Sequence, residues 1–261
     1  MIASSLFDDV ESFCLFVGYT RSGHSIVGTI LDAHQEAAIA HELPLFSPRR
    51  VSTTGNVQHA TRDSLFTKVV KDTEVRVQWG RRGYRRGHDN PLPLVPGGSN
   101  GRVTRLRMLG TKRGQEAPIA WRMNPAVFDE LSTLVGVPLR LVHVYRNPWD
   151  NVASIGRQSP DGAILKYFGR VRAIAGIKAT GMQMHDLALE DLIARPQEEI
   201  TSLLQFCGLD ADETYLEACA SILDREPHAS RYEREWTKRD MKSVARRMEG
   251  VPWLDRYPRH P

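Results

Sequence analysis

The chain has 261 residues, 41% apolar and 25% charged, with a formal net charge of +4. That is ordinary for a soluble globular protein and enough for one large α/β domain. Three scattered cysteines, Cys14, Cys207 and Cys219, exclude a disulfide framework or a zinc site, and no apolar run approaches a membrane-spanning length.

Residues 1–12 carry Asp8, Asp9 and Glu11 and lack the basic start and apolar core of a targeting segment. A soluble, cytoplasmic protein is therefore expected. The first strong pattern follows: an apolar run at 13–17, a glycine-bounded loop at 18–23, helical spacing of Ile26, Val27, Ile30 and Leu31, and a second apolar run at 37–40 that ends in His41 and Glu42. Strand, loop, helix, strand is the first crossover of a parallel sheet. The loop has the frame of a phosphate-binding loop, Gly18, four residues, Gly23, then His24 and Ser25, but His24 stands where a lysine is usual. The glycines let successive N–H groups point inward, and the helix that begins near Ser25 adds unpaired amides and a positive dipole end. Arg21, inside the loop, is the obvious replacement cation. The alternative is a glycine-rich turn with no ligand.

Residues 47–107 hold thirteen Lys and Arg against four Asp and Glu. Such a surplus is a solvated face or a means of steering anions to a cleft. Aromatic interleaving is thin, Trp79 and Tyr84, which argues against a nucleic-acid partner. Residues 64–77 read as a helix with a short extended piece, and 80–101, rich in Gly, Pro and Arg, as loop. The segment 47–105 is taken as a loop-rich cap on the acceptor side.

A strand at 106–109 then delivers Gly110-Thr111-Lys112. Lys112 is either an anion ligand at the carboxyl edge of the sheet or an ordinary exposed lysine. A helix is expected over 124–135, with Pro125 in its first turn. The run 139–145 reads as a buried strand and Pro148 as a helix start, so Arg146 emerges at the strand end and Ser154 lies two turns on. The two can converge on one phosphate, unless this is a plain strand–helix corner. The strand lacks the terminal Asp that a nucleotide hydrolase uses for magnesium. Downstream, helices are expected over 165–178, from Pro196 to a stop at Gly208, over 215–223 and over 240–248, with a strand at 184–189.

The loop Arg21-Ser22-Gly23-His24-Ser25, and Arg146-Asn-Pro-Trp-Asp-Asn-Val-Ala-Ser154 with its arginine-to-serine spacing of eight, resemble the 5′-phosphosulfate and 3′-phosphate motifs of PAPS-dependent sulfotransferases. PAPS is 3′-phosphoadenosine 5′-phosphosulfate. The likeness is to the tyrosylprotein and carbohydrate branches, which use an arginine loop. It implies a P-loop-type parallel sheet flanked by helices in a single domain, 1–261, and PAPS as cofactor with adenosine 3′,5′-bisphosphate as product, without a metal. It implies that Thr20, Arg21, Ser22, Gly23, His24, Ser25, Arg146 and Ser154 hold the cofactor, Arg21 and Lys112 stabilise the transferring group, and Glu42 is the base. His41 is the rival base, because its pKa suits neutral pH. His24 and Leu189 depart from the motifs, replacing a hydroxyl and a tyrosine. Ser230 falls on a serine of the closing segment, or is an exposed loop serine. The acceptor expected is a small molecule, with glycan and peptide left open. The other functions compatible with the residues are a small-molecule kinase with a degenerate lysine and a silent anion-binding module.

Overall fold

The computed structural model describes residues 6–41, 43–46, 57, 59–80, 93–103, 105–158 and 162–261. Five parallel strands, β1 (Ser12–Phe16), β2 (Ala37–Ala40), β3 (Met108–Thr111), β4 (Leu139–Tyr145) and β5 (Met184–Ala188), lie in the order β2-β3-β1-β4-β5. Every residue of β1 is buried. The unbroken apolar run hides a period of two: Phe13 and Leu15 face one core, Cys14 and Phe16 the other.

The second of these faces is covered by α1 (His24–Asp32) and α8 (Pro196–Cys207), through Val27, Ile30, Leu31, Ile200, Leu203 and Leu204. The first is covered by α2 (Arg62–Gly80), α4 (Val127–Val135), α5 (Pro148–Gln158) and α6 (Ala163–Ala179). The remaining helices are α3 (Ala117–Met123), α7 (Leu189–Ala194), α9 (Glu213–Ala220) and α10 (Lys238–Met248). Short 3₁₀ turns occupy Ser230–Glu233 and Pro252–Leu254.

The expected sheet and crossover are present; the strand expected over 184–189 ends at Ala188, the helix expected over 215–223 is α9 and ends at Ala220, and three other differences bear on the site. Residues 64–77 hold no extended piece: α2 runs unbroken to Gly80, with Leu65, Phe66, Val69, Val70 and Thr73 buried along one face. The third strand starts two residues late and includes Gly110. A Cβ at Gly110 would stand 2.4 Å from the Cys14 carbonyl oxygen, so this glycine marks close strand approach, not the start of a loop. The helix expected over 124–135 begins at Val127, with the Asn124 side chain accepting from the Ala126 N–H at 3.1 Å, and α3 precedes it. Of the cap segment 47–105, α2 is a layer of the core, while 47–56, 58, 81–92 and 104 lie outside the described residues. Among the described residues no helix is long and apolar enough to cross a membrane.

Strand order locates the site. From β1 the chain moves through α1 towards β2, on one side. From β4 it moves through α5 and α6 towards β5, on the other. The carboxyl ends of β1 and β4 therefore flank the crevice where the winding reverses, which is where open α/β sheets take ligands.

Candidate active site

The loop after β1 is held in an uncommon conformation. Arg21, which is not glycine, has φ 67°, and Gly23 has φ 95°. A side chain in that region costs about 1–2 kcal/mol, and such outliers collect at ligand clamps. Gly23 caps α1 with no side-chain partner, and the first turn of α1 carries no acid to neutralise its dipole end. The buried Ser22 hydroxyl donates to the Tyr19 carbonyl at 3.1 Å and lies 3.2 Å from His24 Nδ1, which ties the loop to itself.

The loop after β4 is built from side chains. Arg146 is 8% exposed, and its Nη2 donates to the Asp150 carbonyl at 3.0 Å. Its Nε is buried with no partner among the described residues. Burial pushes the guanidinium pKa down, against the pull of Asp150 and Glu190, and the Arg21 charge adds to the lowering. Asn147 begins the corner, donating its backbone N–H to Glu190 at 2.7 Å and accepting from the Trp149 N–H at 2.9 Å.

Two bonds join the loops. Arg21 Nε donates to Ser154 Oγ at 3.0 Å, and Asn151 Nδ2 donates to the Thr20 carbonyl at 2.8 Å. Lys112 arrives from the far side of β1. It is 2% exposed, and its Nζ donates to Ser25 Oγ at 3.0 Å, so it is not the exposed lysine of the alternative reading. Its stem lies across α1 at Gly28, where a Cβ would sit 2.9 Å from Lys112 Cβ. Thr20, Arg21, Ser22, Gly23, His24, Ser25, Lys112, Arg146 and Ser154 thus lie together beyond the carboxyl ends of β1, β3 and β4.

Ser230 is not an exposed loop serine. It is 2% exposed and packs beside α5, accepting from Arg157 at 3.2 Å, with His228 Nδ1 at 3.0 Å. The neighbouring Arg231 binds the buried Asp150 through its backbone N–H at 2.7 Å and its guanidinium at 2.5 Å. His41 is fully buried at the end of β2, and its N–H donates to Asp72 of α2 at 2.5 Å. Thr111 Oγ1 holds the Leu43 carbonyl at 3.2 Å. Glu42 lies outside the described residues. Leu189, where a tyrosine was missed, packs on the loop, with Cδ1 2.8 Å from the place a Cβ on Gly23 would take.

No family model matches the sequence, and no curated protein matches it. Solved structures do. Sulfotransferase STF9 from Mycobacterium avium superposes with a TM-score of 0.50 at 10% identity, covering 95% of this chain and 77% of its own. The chain has the sulfotransferase fold. At that identity the likeness concerns fold. Two further structures align with lower scores. The sulfotransferase domain of the Synechococcus PCC 7002 olefin synthase gives 0.46 at 16% identity, over 80% of this chain and 78% of that one. Retinol dehydratase, solved with retinol and PAP, gives 0.47 at 13%, over 97% and 86%.

Sequence reasoning missed Asn151, Gly28, Glu190 and Tyr19. Asn147, Asn151 and Ser154 are spaced i, i+4, i+7, so helical periodicity alone puts Asn151 on the face of α5 that carries Ser154. Gly28 sits inside a helix where alanine is the better former, itself a sign of close approach. For Tyr19 no local signal exists. Among the described residues no group of three or more His, Cys, Asp and Glu is placed to hold a metal ion.

Proposed function

We propose that this protein is a PAPS-dependent sulfotransferase whose acceptor is a small molecule with a hydroxyl or amine. The observation that supports the reading is the 3.0 Å bond from Arg21 Nε to Ser154 Oγ, which joins the loops on opposite sides of the switch point. The residues fit the donor. The start of α1, which has no side-chain cap, with Arg21, Ser25 and Lys112, suits its 5′ end. The buried Arg146, with a spare Nε–H, and Ser154 suit its 3′-phosphate.

Bound PAPS supplies the sulfuryl group and leaves as adenosine 3′,5′-bisphosphate. Everything else falls to the chain. Glu42 takes the proton from the acceptor, with His41 as the competing base. Arg21, the loop amides and Lys112 are in place before reaction and stabilise the charge that grows on the departing phosphate oxygen. Ser154 fixes the rotamer of Arg21. The segment 47–105 supplies the residues that select the acceptor.

The test is a transfer assay with radiolabelled PAPS against a mixed set of alcohols, phenols and amines, with wild type and Glu42→Gln. Wild type is expected to transfer label, and Glu42→Gln to lose at least ~100-fold in kcat while binding adenosine 3′,5′-bisphosphate as before. Retained turnover in Glu42→Gln moves the base role to His41. A wild type that prefers ATP with magnesium and ignores the 3′-phosphorylated nucleotide overturns the reading.

A further inference from the structure

Beneath the anion loop lies a set of buried polar side chains that the proposed chemistry does not use. Tyr19 is the second residue of the loop and is fully buried, as is His143 on β4. The Tyr19 hydroxyl stands 3.1 Å from His143 Nε2 and 3.2 Å from Trp253 Nε1. His143 Nδ1 stands 2.7 Å from Asp186, its register partner on β5. Asp186 is gripped by Lys178 of α6 at 2.5 and 2.6 Å. Tyr145 stacks on His143 at 5.2 Å, and Tyr167 lies 4.6 Å from the Tyr19 ring.

The directions of these bonds are settled by valence. An indole N–H only donates, so the Tyr19 oxygen accepts it. The Tyr19 hydroxyl proton then goes to His143 Nε2, which carries a lone pair. A neutral imidazole with Nε2 bare has its proton on Nδ1, aimed at Asp186. Asp186, ionised beside Lys178, only accepts. Every donor in the row meets one acceptor, and reversing the bond between the fully buried Tyr19 and His143 leaves the Tyr19 proton without an acceptor and sets the bare Nδ1 against the Asp186 carboxylate. Burial pushes the His143 pKa down despite Asp186, in keeping with a neutral ring. Burial opposes the Asp186 carboxylate too, yet His143 and Lys178 outweigh it and hold its pKa low.

We propose that Tyr19, His143 and Trp253 are positioning residues for the donor site: a one-way hydrogen-bonded row, oriented by Asp186, that clamps the underside of the anion loop. The link to the ligand surface is short. The Tyr19 carbonyl accepts from Ser22, and Asn151 holds the carbonyl of the next residue, Thr20, so the left-handed turn at Arg21 springs from a backbone fixed at its base. The row acts on how well the loop is shaped, not on the reacting atoms, so it governs donor affinity and leaves acceptor affinity alone. This inference rests on the proposed function for the identity of the ligand, but not for the direction of the row.

The experiment has two arms. In the first, ¹⁵N-edited NMR of the His143 ring in the wild-type protein without nucleotide is expected to show a protonated Nδ1 and a bare Nε2 at neutral pH. A protonated Nε2, or a doubly protonated ring, overturns the proposal whatever the protein does. In the second, titration calorimetry with adenosine 3′,5′-bisphosphate is expected to show Tyr19→Phe binding about tenfold more weakly, and Trp253→Phe more weakly by a smaller factor. In transfer assays the KM for PAPS rises and that for the acceptor does not. Wild-type affinity in a folded Tyr19→Phe overturns the clamp. No nucleotide binding by wild type sinks the proposed function instead, and the NMR arm still decides the row.

Discussion

The two loops that meet at the switch point, proposed above as anion grips, are built by different means. After β1 the frame is backbone: two left-handed residues and a helix end with no side-chain cap, with Arg21, Ser25 and Lys112 set on it. After β4 it is side chain: a buried guanidinium on an ordinary strand–helix corner with Pro148 in the first turn. The first grip is sensitive to shape and the second to charge. A site that combines them does not fail all at once when one residue changes.

The largest expected effect tests charge. Arg146→Met should raise the Kd for adenosine 3′,5′-bisphosphate by about a hundredfold or more, as for loss of a buried charge partner. Because burial already works against this guanidinium, the melting temperature of the free protein should not fall. Calorimetry of binding and of unfolding checks both halves, and unchanged affinity removes Arg146 from the site. Next comes shape. Gly23→Ala leaves every charge in place but imposes φ 95° on an alanine, a cost of about 1–2 kcal/mol, and should weaken the same binding roughly tenfold. Equal affinity would show that the loop relaxes freely and the contrast is false.

A smaller change sharpens the point. Replacing a mid-helix glycine by alanine ordinarily stabilises by about 0.5–1 kcal/mol. At Gly28 the new Cβ meets Lys112 Cβ at 2.9 Å, the rigid root of that side chain, so Gly28→Ala should lower the melting temperature and draw Nζ away from Ser25. A rise in melting temperature would contradict it. The smallest effect separates the two sides by acid. Burial lowers the pKa of His143 on β4 and of His185 on β5. Below the ordinary histidine value of about 6.5 the unfolded chain binds protons that the folded one refuses, so stability is lost as pH falls from 7 to 5. Thermal unfolding at fixed ionic strength checks the sign.

Much of this was legible from sequence, for local reasons. The β1 loop and the β4 corner announce themselves through glycine spacing, apolar runs and a proline at a helix start, and β2 and β4 fall at the expected residues. Even the distinction between faces follows from a period of two once β1 is known to be a strand. What stayed hidden depends on distant partners. Gly110 looks like a loop residue until β1 is laid beside it. Lys112 looks like a surface lysine until Gly28 makes room for its stem. Leu189, read as a missing tyrosine contact, proves to be packing for Gly23. His143 sits in an apolar strand with nothing nearby in sequence to say what its ring nitrogens meet.

The contact between Trp253 and Tyr19 spans 234 positions, against 96 for Ser12 with Met108 in the strand register. Closing so long a span carries the higher entropic cost, and contacts of this kind form late. A chain on its way to the native state is therefore expected to pair β1 with β3 before Trp253 closes on Tyr19.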